Sequence, residues 1–185
     1  TAETKEIQNF EERSSQMLQS LMQDSQLLTV IETHKGLNGQ ISDDLLLDDP
    51  EYLEAILIYL QSKNAAFPAR LQRLLGTKKL PAMGAKWMER LLQGFLYDDN
   101  DSYLCDKVYR EMLIDQLKSQ GLIEKKKVIL TKSAAVEKLL TNSLGKANSI
   151  RDIVFSEYDS MGSSLRLLIL TDYIRKEYEK TIGNP

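Results

Sequence analysis

Residues 4–34 read TKEIQNFEERSSQMLQSLMQDSQLLTVIETH, and their hydrophobic spacing decides the fold class. Ile7, Phe10, Met17, Leu18, Leu21, Leu28 and Ile31 recur at steps of three, four and seven, the period of one helix face, and Gly36 supplies a stop. The spacing predicts one long amphipathic helix over 4–34.

Residues 36–48 then read as a loop. Asp49-Pro50-Glu51 places an N-cap and a first-turn proline ahead of Tyr52, Leu53, Ile56, Leu57 and Leu60, which predicts a second helix over about 50–63. Phe67-Pro68 opens a short basic helix through Leu75, and Pro81 precedes another that carries Trp87, Met88, Leu91, Leu92 and Phe95. The acidic run DDND at 98–101 is the best candidate for a subdomain boundary, ahead of a helix near 103–120 that Gly121 ends. Thr131 or Ser133 caps a helix to about Leu144, with Gly145 as its stop, and Ile150, Ile153, Val154 and Tyr158 mark a helix over 146–160.

At 185 residues, 42% hydrophobic and 28% charged, the chain can bury a core in one domain or two small ones, and 4 Pro and 9 Gly leave no linker-like stretch. The single Cys105 excludes an internal disulfide, and the single His34 all but excludes metal sites of His and Cys; both suit a reducing cytoplasm. No apolar run reaches the roughly 18 residues of a membrane helix, and TAETKEIQNFEER is the reverse of a signal peptide. The opening at Thr1, in mid-helix style, points to a piece of something larger.

The net charge of -3 conceals an asymmetry. Residues 1–60 hold 3 of the 24 Lys and Arg but 12 of the 27 Asp and Glu, leaving 21 and 15 for the rest, so a polyanion would meet the second part.

Phosphate-cradling and hydrolytic motifs are missing. GxxxxGK[ST] fails because Ala147 follows Gly145-Lys146 and Leu140 stands at the first glycine position; GxGxxG, HExxH, GxSxG and DExH do not occur. His34, at a helix end, reads as solvated or capping rather than as a catalytic base. Asp43, Asp44, Asp48 and Asp49, beside Leu45–Leu47, lack the alternating ligands of a calcium loop and read as a solvated acidic turn.

Two stretches carry more. Residues 112–123, MLIDQLKSQGLI, precede Lys125, Lys126 and Lys127, then Val128-Ile129-Leu130-Thr131-Lys132. This resembles the end of a winged helix, whose lysines would meet phosphates without reading bases. The first strand and a glycine turn are not evident, so a solvated lysine knuckle with a short edge strand stays open as the other reading.

The second stretch is LRLLILTDYIRKEY, residues 165–178. Its apolar half ends in Thr171-Asp172, as a buried parallel strand does when its C-terminal end delivers polar residues to a site. The string resembles the motif IV strand that opens the second motor domain of large bacterial DEAD/DEAH-type helicases of superfamily two; the fit over 150–162 is looser. The resemblance implies that Thr171, Asp172, Tyr173 and Arg175 lie near nucleic acid and the interdomain cleft, with Lys125, Lys126, Lys127 and Lys132 as phosphate contacts. It implies ATP and Mg for the parent only. The parent's ATP-binding, DExH and arginine-bearing motifs have no counterpart here, so no catalytic residue, cofactor or metal is assigned to this chain.

The expected fold is mostly α: a multi-helix bundle with one or two short β-strands, with a winged-helix-like part near 101–142 as an open alternative. The expected organisation is a helical subdomain over 1–97, a second over 101–162 and the start of a truncated RecA-like domain over 163–185. The expected role is a non-catalytic cytoplasmic linker of two motor domains that touches nucleic acid, DNA rather than RNA, and no membrane. A homodimer through the C-terminal strand, a winged-helix regulator and a helical interaction adaptor are the alternatives.

Overall fold

The N-terminal segment breaks at Asp24 although its apolar repeat runs on to Ile31. In this computed structural model, which describes residues 2–99, 101–104, 107–131 and 144–166, helix α1 (Ala2–Gln23) ends before Asp24 and α2 (Ser25–Ile31) starts after it. The Asp24 carboxylate accepts the N–H groups of Gln26 at 2.8 Å and Leu27 at 3.2 Å, capping α2. Tyr109 Oη donates to the same carboxylate at 2.6 Å. The single helix expected over 4–34 is therefore two, because the capping side chain captures N–H groups that a continuous helix would have turned back on itself.

Helix α3 (Asp43–Leu47) stands in the segment expected to be a loop, capped by Ser42 Oγ, which accepts the Leu45 N–H at 3.4 Å. Helices α4 (Pro50–Ser62), α5 (Ala69–Leu74) and α6 (Ala85–Gln93) begin close to the expected proline signals. Asp49 caps α4 through the Tyr52 N–H at 3.0 Å. Helix α6 continues into one π-helical turn, Gly94–Asp98. Helix α7 (Lys107–Ser119) is followed by Gly121, whose φ of +69° is the left-handed conformation that closes a helix end. Strands β1 (Ile123–Glu124) and β2 (Lys127–Val128) pair antiparallel, with Ile123 opposite Val128 and Glu124 opposite Lys127.

The chain divides into two compact units, Thr1–Thr141 and Asn142–Pro185. The first is built around α4, whose run Ala55–Leu60 is apolar on every side and so must be enclosed on every side. Ala55, Ile56, Leu57, Tyr59 and Leu60 are wholly buried, and α2, α3 and α6 pack on the helix that carries them. Each large side chain so enclosed contributes about 1.5–3 kcal/mol of burial. Helix α6 also meets α1 and β2, which places it between the core and the hairpin. The acidic run at 98–101 falls inside this unit, and α7 and the hairpin belong to it together with α1–α6.

The second unit is described from α8 (Leu144–Met161) through a 3-10 turn at Gly162–Ser164 to Arg166. Gly145, expected as a helix stop, lies in the first turn of α8, where backbone N–H groups lack intrahelical partners. Ile153, Phe155, Tyr158 and Met161 are exposed along this helix. The helix expected after Thr131 and residues 167–170 of the expected strand lie outside the described residues; Leu165 and Arg166 belong to no strand.

The described residues are thus mostly helical with one short two-stranded sheet. Among the described residues no helix is long and apolar enough to cross a membrane.

Candidate functional site

Lys125 and Lys126 form the tip of the hairpin. Their φ values, 48° and 65°, are the pair of left-handed residues that a two-residue type I′ turn requires. Glycine or asparagine usually occupies such positions, and a lysine held there is strained by about 1–2 kcal/mol. Two lysines doing the work of a glycine turn, and a first strand only two residues long, explain why the sequence shows neither. Lys125, Lys126 and Lys127 are exposed, while Leu122, Val128, Ile129 and Leu130 are buried behind them.

Helix α6 holds this hairpin from behind. Gln93 Nε2 donates to the Lys126 carbonyl at 3.2 Å, and Gln93 Oε1 accepts the Val128 N–H at 3.0 Å. One turn earlier, Glu89 Oε2 accepts the N–H groups of Leu130 at 2.7 Å and Thr131 at 2.8 Å, and Thr131 Oγ1 at 3.0 Å. Ser14 Oγ of α1 donates to the Leu130 carbonyl at 2.5 Å.

The pocket of about 390 Å³ between α6 and β2 is lined by Lys86, Arg90 and Lys127 but also by Glu51 and Glu89, and Lys86 pairs with Glu51 at 3.2 Å. Its charge is mixed. Three consecutive exposed lysines stand at the hairpin instead.

Of the residues expected to contact nucleic acid, the structure brings Lys125, Lys126 and Lys127 together. Lys132, Thr171, Asp172, Tyr173 and Arg175 lie outside the described residues. Glu89 and Gln93 were not legible: their i, i+4 spacing on α6 is that of any polar helix face.

A second polar cluster gathers around His34 and Asp99. His34 is buried rather than solvated, its Nδ1 accepting the Gly36 N–H at 3.1 Å and its Nε2 facing Asp99 Oδ2 at 3.1 Å. The hydroxyls of Tyr52 and Tyr103 bond each other, and the Tyr103 ring lies 4.9 Å from the imidazole centroid, edge to face. Arg90 pairs with Asp49 and reaches Asp98 at 3.7 Å. His34, Asp49, Tyr52, Asp98, Asp99 and Ser102 border a pocket of about 360 Å³ together with the side chains of Ile41, Leu45, Leu46, Leu53 and Ile56. Both imidazole nitrogens are engaged within the fold, so the ring ties the end of α2 to the π turn rather than activating a nucleophile. The solvated reading of His34 does not hold, and its ring bonds the Gly36 N–H and Asp99 rather than the α2 carbonyls.

Among the described residues no group of His, Cys, Asp and Glu could hold a metal ion. Gly145-Lys146, the nearest sequence to a phosphate loop, lies at the start of α8 and lacks the first glycine and the Ser or Thr of that motif. Compared with known proteins, the chain matches no family model, and no curated protein or solved structure matches it significantly.

Proposed function

We propose that this chain is a non-catalytic helical module of a larger, cytoplasmic, DEAD/DEAH-type superfamily-two helicase, linking its two motor domains and contacting DNA through the phosphate backbone. The observation that carries the contact is the hairpin: three consecutive exposed lysines on a turn braced against α6. Phosphates demand positive charge and no base readout, which is what this tip offers. The string LRLLILTDYIRKEY supports placement in a helicase, where the resemblance implies that Thr171, Asp172, Tyr173 and Arg175 lie near nucleic acid and the interdomain cleft; Lys132 is a further phosphate contact. ATP and Mg belong to the parent's motor domains.

A helix followed by a hairpin, α7 then β1–β2, also favours a winged-helix regulator. Glu111 and Asp115, exposed on α7, oppose the use of that helix as a recognition element in a major groove.

The test is binding of fluorescein-labelled oligothymidylate and of blunt duplexes of several sequences. Replacing Lys125, Lys126 and Lys127 together by Glu should weaken all of them alike, by about tenfold or more at low salt. Undiminished binding defeats the proposed contact, and strong preference for one palindromic duplex transfers the function to the regulator.

A further inference from the structure

Two residues of α6 make five hydrogen bonds to the hairpin and the segment leaving it, across 33 to 42 residues of sequence. A hairpin with two residues per strand is too short to hold itself, and its lysine tip is in a strained left-handed turn. Its own backbone adds one rung, Ile129 N–H to the Leu122 carbonyl at 2.8 Å. What fixes it must therefore come from outside.

We infer that Glu89 and Gln93 are positioning residues for the lysine hairpin, holding Lys125, Lys126 and Lys127 as a preformed array for a nucleic-acid backbone. This rests on the reading of the hairpin as a phosphate contact. Gln93 suits the task because its amide both donates and accepts, matching the Lys126 carbonyl and the Val128 N–H that flank Lys127. Glu89 suits it because a carboxylate oxygen makes stronger hydrogen bonds than a neutral acceptor, and here one oxygen gathers three donors just beyond the hairpin. The tip is thus held at both ends of β2. Three ammonium groups on a free loop would lose conformational entropy on meeting a strand; on a clamped hairpin that loss has already been taken during folding.

The 185-residue chain and its Glu89→Ala, Glu89→Gln and Gln93→Ala variants are compared by amide hydrogen exchange and by oligothymidylate binding. Both alanine variants should raise exchange at Val128, Leu130 and Thr131 by about tenfold, leave α4 amides unchanged, and weaken binding roughly threefold to tenfold. Glu89→Gln, which keeps an acceptor oxygen, should recover much of both losses. Should Glu89→Ala unfold, seen as raised exchange in α4, Gln93→Ala leaves the Glu89 anchor in place and carries the comparison. Unchanged exchange in the alanine variants overturns the clamp, and raised exchange with unchanged affinity overturns its part in binding. A wild-type chain that binds no oligothymidylate overturns the nucleic-acid reading itself; exchange, which needs no ligand, tells that failure from failure of the clamp.

Discussion

His34 Nε2 stands 3.1 Å from Asp99 Oδ2, joining the end of α2 to the π turn across 65 residues. The Gly36 N–H occupies Nδ1, so in the neutral ring the proton is on Nε2 and is donated to Asp99. Replacing His34 by Ala removes both bonds and opens a cavity beneath Tyr52 and Tyr103. Urea unfolding should show a loss of about 2–4 kcal/mol. A loss below about 0.5 kcal/mol, the range of ordinary surface substitutions, would mean that the pair does not join these segments.

The same cluster makes a pH-dependent contribution to stability. Burial alone raises the Asp99 carboxyl, but hydrogen bonds from His34 and Ser102, with the electrostatic pull of the imidazole, outweigh it and hold the group below its ordinary 3.8. A lowered folded pKa contributes stability that is present above the ordinary carboxylate range and lost as pH falls through the folded value. Tyr52 and Tyr103 are pushed above 10.0, chiefly by burial, so their contribution is complete below that value and lost as pH rises beyond it. Asp99→Asn should flatten the acid limb of the stability profile and Tyr103→Phe the alkaline limb, both read by urea midpoints.

Gly94 opens the π turn with the Tyr52 ring packed against its Cα, so that a Cβ there would fall inside the ring's van der Waals envelope. Gly94→Ala should destabilise the fold by about 3 kcal/mol, the upper end of core overpacking. Gly84, whose surroundings are open, is the control: its alanine variant should change the urea midpoint little.

The left-handed Lys126 allows a separate test of the turn. Lys126→Gly relieves about 1–2 kcal/mol of strain but adds about 0.5–1 kcal/mol of unfolded-chain entropy, so the variant should be at least as stable as the wild type. Lys126→Ala keeps the strain and should be less stable than Lys126→Gly by about 1 kcal/mol under the same urea titration. Equal stabilities would argue against a type I′ tip.

Much of this architecture is written locally. Asp49-Pro50 announces α4 because cap and proline act on adjacent backbone groups, and the apolar run Ala55–Leu60 shows that this helix is enclosed. The break at Asp24 is hidden because a kink can leave an apolar repeat intact, and the tertiary bond from Tyr109 has no sequence signature. Helix α3 is hidden by length, since five residues span little more than one turn. The lysines were legible as charge, but their support was not: Glu89 and Gln93 act on backbone groups more than thirty residues away, and hydrogen bonds to backbone leave no mark on the partner's side chain. His34 reads from sequence as solvated or capping because nothing local reveals Asp99 opposite it.

The most direct measurement is the salt dependence of oligothymidylate binding by the wild type and by a variant with Lys125, Lys126 and Lys127 replaced by Ala. Each phosphate neutralised on a single strand contributes about 0.7 to the slope of log affinity against log salt, so three lysines contribute about 2. A slope shallower by about 2 in the variant, with its urea midpoint and α4 exchange unchanged, is the expected result. Identical slopes for wild type and variant would contradict the assignment of the hairpin as the nucleic-acid contact.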